Sequence, residues 1–529
     1  MRVILVVLFA MTLCAFSCAQ SPTGSIGGIV FDPDAKAVPG AEIIVVNDLT
    51  RVQYETRSNE VGIYSVPNLP PGSYRVQASK AGFKTLIKPD IVLNVQASIT
   101  VNFTLPVGAT SIAVTVEGGA SMVNTTDAAV STVVDHTFVE NMPLNGRSFQ
   151  DLILLTPGIV TNSPQTPGSV GASGEFSVNG QRTDANYYSV DGVSANAGAF
   201  PGAPQFASTS GSLPVSTSLG TTQGLVSVDA LQEFRVLSSS YSAEFGRNPG
   251  GQFSFVTRSG TSEWHGTASE YLRNDVFDAN DWFNNFFGLP KGALRQNDFG
   301  GTFGGPARIP KLYSDKNKAF FFFSYEGLRL TQPQEASVSY VPTIALRSSA
   351  PSALEPVLKA FPVPNCPTMA TNCTTDLGNG LGELVAAWSN PSDMNVYGIR
   401  FDQTIGSRTR LFFRFSAADS SSLERNGGNA GTPSSVAARS YATRTYTFGA
   451  TTALTPRFNN EFRLNYTSNA TTASETLDGF GGAWISADAG RRDSVRICDA
   501  DAGPSSRAYF RNQRCPEPAA RPVTNRSER

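Results

Sequence analysis

The chain has 529 residues, of which 40% are hydrophobic and 16% charged, with 48 Gly, 33 Pro and a formal net charge of -2. At roughly 100 to 200 residues per domain it holds several units, and its near-neutral balance gives no electrostatic reason to propose nucleic acid as a partner. After the N-terminus no apolar run reaches the roughly 20 residues a membrane helix needs, so any membrane crossing must be made by strands.

The N-terminus reads as an export signal over residues 1–19: Arg2, an apolar run from Val3 to Leu13, then small residues at the two positions read before Gln20. A lipid-modified Cys18 is the alternative, but Phe16 is a poor residue two places before it. Cleavage leaves Cys366, Cys373, Cys498 and Cys515. Cys366 and Cys373 share a short polar segment, and in an oxidising envelope such a loop closes readily into a disulfide. A metal site is disfavoured there because the two histidines, His136 and His265, lie far away in sequence.

Residues 22–105 form a series of short strands: SIGGIVFD, AEIIVVND, VQYETRS, GIYSVPN, GSYRVQAS and ASITVNFTL, punctuated by DAKAVPGA, NEVG and NLPPG. That pattern predicts an immunoglobulin-like β-sandwich of about seven strands. GSIGGIVFDPDAKAVPGAEI and NEVGIYSVPNLPPGSYRVQASKAGFK resemble the carboxypeptidase regulatory-like domain, a carbohydrate-binding-like module, with Tyr64 and Tyr74 flanking a Pro-Pro-Gly turn. Neither histidine falls within it, so no zinc peptidase site is expected. Asp32 and Asp34 admit a calcium reading or a turn-forming one, and the turn is favoured because further oxygen ligands at loop spacing are missing.

The linker, 106–122, carries Ile112 to Glu117, a β-branched strand between glycines that suits addition to the edge of a partner's sheet. Residues 123–258 read as an α+β module. Within it, MPLNGRSFQDLILLTPGI resembles the plug pattern of TonB-dependent outer-membrane receptors, which implies an NGR turn leading to a short amphipathic helix with Phe149, Leu152, Ile153 and Leu155 packed inward. Asn145, Gly146, Arg147, Asn179, Gly180, Gln181, Arg182, Asp191 and Gly192 sit at its turns, either to cap them or to bond a surrounding wall. The Gly, Ser, Thr and Pro-rich stretch from Asn196 to Gly220 is expected to be a mobile loop facing ligand.

From 260 to 483 the alternation is that of strands with one lipid and one wet side. Leu411, Phe413 and Phe415 oppose Arg410 and Arg414; Tyr397, Ile399 and Phe401 oppose Arg400 and Asp402; Phe462, Leu464 and Tyr466 oppose Glu461, Arg463 and Asn465. RSGTSEWHGTASEYLRNDVFDANDWFNN, LRQNDFGGTFGGPARIP and KNKAFFFFSYEGLR, following FSVNGQRTDANYYSVDGV, resemble TonB-dependent outer-membrane receptors of the Oar-like type. The resemblance runs from about Gly24 to about Thr467. It implies a mainly β protein with an N-terminal sandwich, a plug domain over 123–258 and a partial transmembrane antiparallel β-barrel. It further implies Ile112, Ala113, Val114, Thr115, Val116 and Glu117 as a TonB box. Implied partners are the TonB-ExbB-ExbD complex, outer-membrane lipid and a carbohydrate, peptide or other ligand, with no cofactor.

Large plugged barrels use about 22 strands, whereas 260–483 has room for roughly eight to ten, and the tail 484–529 is Arg-rich without strand periodicity. A truncated or frameshifted copy with a disordered tail is therefore expected. Two functions compete: a receptor-transporter of the outer membrane, and a cell-surface carbohydrate- or matrix-binding protein anchored by its barrel. An enzyme has least support, since no nucleophile, base and orienter set, phosphate loop or metal cluster is found.

Overall fold

The computed structural model describes residues 22–108, 113–115, 129–142, 152–161, 176–196, 214–215, 217–218, 220, 224–243, 245–307, 318–366, 373–406, 408–426, 431–455, 458–485, 495–498 and 507–509. Its N-terminal part is a two-sheet sandwich. The elements are β1 (Gly24–Phe31), β2 (Glu42–Asn47), β3 (Gln53–Arg57), β4 (Ile63–Leu69), β5 (Gly72–Ser79), β6 (Thr85–Leu93), β7 (Ser98–Thr100), β8 (Phe103–Thr104) and β9 (Ala113–Thr115). One sheet runs β4-β1-β7, with β8 also on β1; the other runs β3-β2-β5-β6-β9. Alternation drives this packing: Ile43 and Val45 of β2 and Tyr74, Val76 and Ala78 of β5 are fully buried between the sheets. The two tyrosines keep their hydroxyls satisfied at the core's edge, Tyr64 donating to the Val101 carbonyl and Tyr74 to the Pro70 carbonyl, both at 2.6 Å. Asp32 is a turn residue: its Oδ1 accepts from the Asp34 and Lys36 amides at 2.9 and 2.8 Å.

The strand expected to wait exposed for a partner is already paired. β9 adds in parallel to β6, with Ala113, Val114 and Thr115 opposite Thr85, Leu86 and Ile87. Ile112, Val116 and Glu117 lie outside the described residues.

The middle module comprises β10 (Val130–Asp135), α1 (His136–Asn141), β11 (Ile159–Thr161), β12 (Phe176–Val178), β13 (Tyr187–Val190), β14 (Val193–Ser194), β15 (Leu231–Ser239) and β16 (Gln252–Thr257). Its main sheet has the order β10-β15-β16-β13-β14, with β13 and β16 parallel. Every residue of β13 and β16 is buried, as expected of strands covered on both faces. Tyr188 and Phe253 stack at 4.7 Å and Phe234 and Phe255 at 5.4 Å, and Phe322 from the following sheet joins this core. Leu152 and Ile153 pack inward, but Leu155 is 61% exposed because the helix gives way to a turn after Ile153. Phe149 lies outside the described residues.

The third part is one long-strand antiparallel sheet: β17 (His265–Asn274), then β18 (Arg295–Pro306), β19 (Ala319–Pro342), β20 (Leu381–Ile405), β21 (Thr409–Arg425), β22 (Ser435–Thr455) and β23 (Phe458–Leu477). Between β17 and β18 stands α2 (Trp282–Phe286), and between β19 and β20 stand α3 (Ile344–Ser349) and α4 (Glu355–Lys359). The strands pair in sequence order and the described sheet is open. In the segment read as unstructured, β24 (Val495–Cys498) pairs with β23 and β25 (Arg507–Tyr509) pairs with β24. Backbone pairing at a free edge needs no side-chain alternation, which is why residue patterning gave no sign of it.

The two ends of this sheet differ. At one rim β20 joins β21 between Ile405 and Thr409 and β22 joins β23 between Thr455 and Phe458, while β18 reaches β19 across residues 307–318. At the other rim the connections are long, spanning 275–294, 343–380 and 426–434. Outer-membrane barrels put short turns on the periplasmic side and long loops outside. The sandwich meets the short-turn rim: the Arg410 guanidinium lies over the Tyr54 ring at 3.6 Å, and the Ser262 amide donates to the Leu49 carbonyl at 3.1 Å. On the long-loop side Cys366 and Cys373 are joined by a disulfide. Glu383 lies beside this disulfide, but its Oε2 accepts from the Thr374 amide at 2.9 Å, and sulfurs joined to each other are not thiolate ligands, so the three do not make a metal site.

Candidate functional site

The two faces of the long-strand sheet separate by residue parity. One face turns to the middle module and carries Arg400, Asp402, Arg414, Glu461 and Arg463. The opposite face carries an unbroken row set by register: Phe321 beside Phe401, Phe401 beside Phe413, Phe413 beside Phe448 and Phe448 beside Leu464. Leu464 is 59% and Tyr466 60% exposed, which suits a hydrocarbon surround rather than water. Further along, Tyr325 stacks on Tyr397 at 5.7 Å, and the Asp419–Arg444 ion pair at 2.8 Å follows on the same face. Aromatic residues giving way to charge mark the edge of an apolar band.

Where the middle module meets this sheet, Asp191 is the centre. It and Gly192 form the two-residue hairpin between β13 and β14, both with positive φ (51° and 79°), the geometry Asp-Gly serves best. The turn carries the buried carboxylate to the wall. Its Oδ1 lies 3.2 Å from Arg400 Nη1 and its Oδ2 3.1 Å from Arg414 Nε. Thr257, at the end of β16, donates its amide to Oδ1 at 2.9 Å and its hydroxyl to Oδ2 at 2.8 Å. Arg400 in turn donates to the Thr257 carbonyl at 3.1 Å and is held from behind by Asp402 at 2.8 and 2.9 Å. Arg463 pairs with Glu461. The Phe412 ring lies under both Arg400 and Arg463, at 4.7 and 5.0 Å. Gly449 makes room for that ring, since a Cβ there would stand 2.1 Å from it.

Three carboxylates thus face three guanidiniums in a buried seam. Desolvating so many charges is costly, and only mutual pairing with good hydrogen bonds offsets it. Burial would raise the Asp191 carboxyl, but Arg400, Arg414 and the two Thr257 hydrogen bonds hold it below the usual carboxylate range. Higher on the wall, Glu326 Oε2 accepts from the Val228 amide at 3.1 Å. The Ser218 amide donates to Ser420 Oγ at 2.9 Å and the Ser218 hydroxyl to the Asp393 carbonyl at 3.3 Å. Ser218 belongs to the stretch expected to be a mobile loop, yet it is fully buried. The seam retains voids of only about 30 and 40 Å³. It is a place for holding two parts together, not for enclosing a large ligand.

Of the other turn residues, Asn179 and Gly180 form a turn inside the module: Asn179, with φ 49°, donates its side chain to the Ser238 carbonyl at 3.0 Å. Gln181 donates its amide to the Val178 carbonyl at 3.0 Å, and Arg182 caps a single 3-10 turn. Among the described members of the turn set, Asp191 is the one whose side chain pairs with the wall. Asn145, Gly146 and Arg147 lie outside the described residues. Thr257 drew no attention in the sequence because a Thr at a strand end has no distinguishing neighbourhood. Arg400 and Arg414 were legible as wet-side residues, but not as partners of Asp191, since nothing local joins positions some two hundred residues apart.

A mainly β chain, with a sandwich at the short-turn rim and a compact module bonded to one face of a long-strand sheet whose other face is apolar, has the organisation of an outer-membrane protein. Residues 256–494 match the outer membrane beta barrel domain and residues 25–106 the carboxypeptidase regulatory-like domain. The chain is a homologue of the TonB-dependent transporter Oar of Myxococcus xanthus, 27% identical over 337 residues that cover 61% of this chain and 29% of that protein. Solved structures similar in part include the outer membrane transporter YddB from Escherichia coli, with 12% identity, TM-score 0.42, and coverage of 66% of this chain and 40% of that one. Another is a ferric enterobactin receptor mutant from Pseudomonas aeruginosa in complex with enterobactin, with 11% identity, TM-score 0.41, and coverage of 70% and 46%. The barrel domain and the homologue together place this chain at the outer membrane.

Proposed function

We propose that this chain acts as a TonB-dependent receptor-transporter, in which the middle module is the plug and the TonB-ExbB-ExbD complex supplies the energy that remodels it. The observation that carries the reading is the Asp191 cluster. A plug must hold its wall firmly at rest, and its bonds must be exchangeable without breaking covalent chemistry; a paired-charge seam meets both needs. Force reaching β16 or the β13–β14 hairpin would draw Asp191 from Arg400 and Arg414 and open a path along the wall. No step needs a cofactor. The segment Ile112–Glu117 is the proposed site of TonB capture by strand addition, which requires β9 to leave β6 first.

The ligand enters from the long-loop rim, and carbohydrate and peptide remain the two proposed classes. A surface-binding role for the sandwich is less well supported, because it sits at the short-turn rim, on the periplasmic side by the usual barrel arrangement. The test is a pull-down of the detergent-solubilised chain with the periplasmic domain of TonB. Retention that is lost on deleting residues 112–117 supports the reading; retention unaffected by the deletion, or none at all, overturns it.

A further inference from the structure

The sandwich is joined to the plug by more than a linker. Glu233 and Arg235, two positions apart on β15, both reach the Val95–Gln96 turn that follows β6, where Gln96 has φ 56°. The Val95 amide donates to the Glu233 carboxyl. Arg235 Nη1 donates to the Gln96 carbonyl at 3.0 Å and the Val95 carbonyl at 3.5 Å, while its Nη2 donates to Ser131 Oγ of β10 at 3.0 Å. Glu233 and Arg235 are each 4% exposed, and Val95 is fully buried. Two ionisable side chains are therefore kept out of water around a two-residue turn of another domain. Burial raises the Glu233 carboxyl to about 8, against the Val95 hydrogen bond, with Asp135 adding to the rise and Arg235 opposing it.

The same sandwich is bound to the barrel rim through Tyr54 with Arg410 and through Leu49 with Ser262. It also keeps β9 in its sheet. A rigid body fastened to both plug and wall resists any displacement of one against the other. We propose that the docked sandwich is a built-in lock on the plug, and that the plug shifts against the wall only after Glu233 and Arg235 release the Val95–Gln96 turn. The proposal rests on the reading that the plug is remodelled in transport, but its test does not involve TonB, so the two fail separately.

The experiment is hydrogen exchange on the full chain in detergent, comparing wild type with Arg235→Ala and with Gln96→Pro. The second variant breaks the interface from the sandwich side, since proline requires φ near about -65°, and it leaves the plug sequence intact. Expected is at least a tenfold acceleration at Val95 and in Leu231–Ser239 and Gln252–Thr257 for both variants, with Ile43 to Val45 of the sandwich core unchanged. Wild-type protection at Val95 in Arg235→Ala would overturn the docking. A freed turn in Gln96→Pro with unchanged protection of the plug strands would overturn the lock.

Discussion

The middle module places one buried carboxyl against the wall and another against the sandwich, and the two are set by opposite electrostatic terms. Against the wall, Asp191 meets two guanidiniums and two donors from Thr257, so its charged form is stabilised. Against the sandwich, Glu233 meets one amide and one guanidinium with Asp135 nearby, and burial prevails, so its neutral form is favoured. A buried carboxylate is thus made adhesive in one place by pairing and in the other by a hydrogen bond that survives protonation. The two seams should respond in opposite directions to acid.

The most damaging change expected is Asp191→Ala. It leaves Arg400 and Arg414 buried without their shared partner, and breaking a buried pair from one side costs about 3 to 5 kcal/mol. Urea unfolding followed by protection of the β16 amides should show that loss at the wall seam, with Val95 protection retained at the sandwich seam. Phe413→Arg acts on the other face of β21, beside Arg414, and should cost about 2 to 4 kcal/mol of barrel stability in bilayers, read by folding titration in lipid vesicles. It tests whether that face is lipid-facing, independently of either seam.

The pH dependence follows from the two carboxyls. Asp191 is held below its free value, so its contribution is present above the ordinary carboxylate pKa of about 4 and is lost as pH falls through the acid range. Glu233 is raised from 4.5 to about 8, so docking of the sandwich is strongest below the lower value and weakens as pH rises toward the upper one. Exchange at Val95 measured from pH 5 to 8 should accelerate beyond its intrinsic base dependence, and Glu233→Gln should remove that excess. Smallest is Arg75→Ala, which breaks a partly exposed pair with Asp48 inside the sandwich and should cost no more than about 1 kcal/mol by thermal melting.

Much of this architecture could be read from residue order. Strand alternation around Arg400, Arg414 and Arg463 marked which face is wet, because a two-residue period survives whatever the strand pairs with. That Asp191 and Gly192 sit at a turn was equally visible, but that the turn closes a hairpin onto β14 was not. Pairings across long separations were not. Glu233 and Arg235 look like solvated strand residues until the sandwich is laid over them, and β9 read as a free strand because an edge acceptor on β6 has no local mark. Leu155 misled because helical spacing was extended past the turn that ends the helix.

A double-mutant cycle between Asp191 and Arg414, each changed to Ala and followed by urea unfolding of the middle module, tests the wall seam most directly. Direct neighbours in a buried network couple by about 0.5 to 3 kcal/mol, and the upper half of that range is expected here. Additive losses, with coupling near zero, would mean that Asp191 does not hold the middle module to the wall.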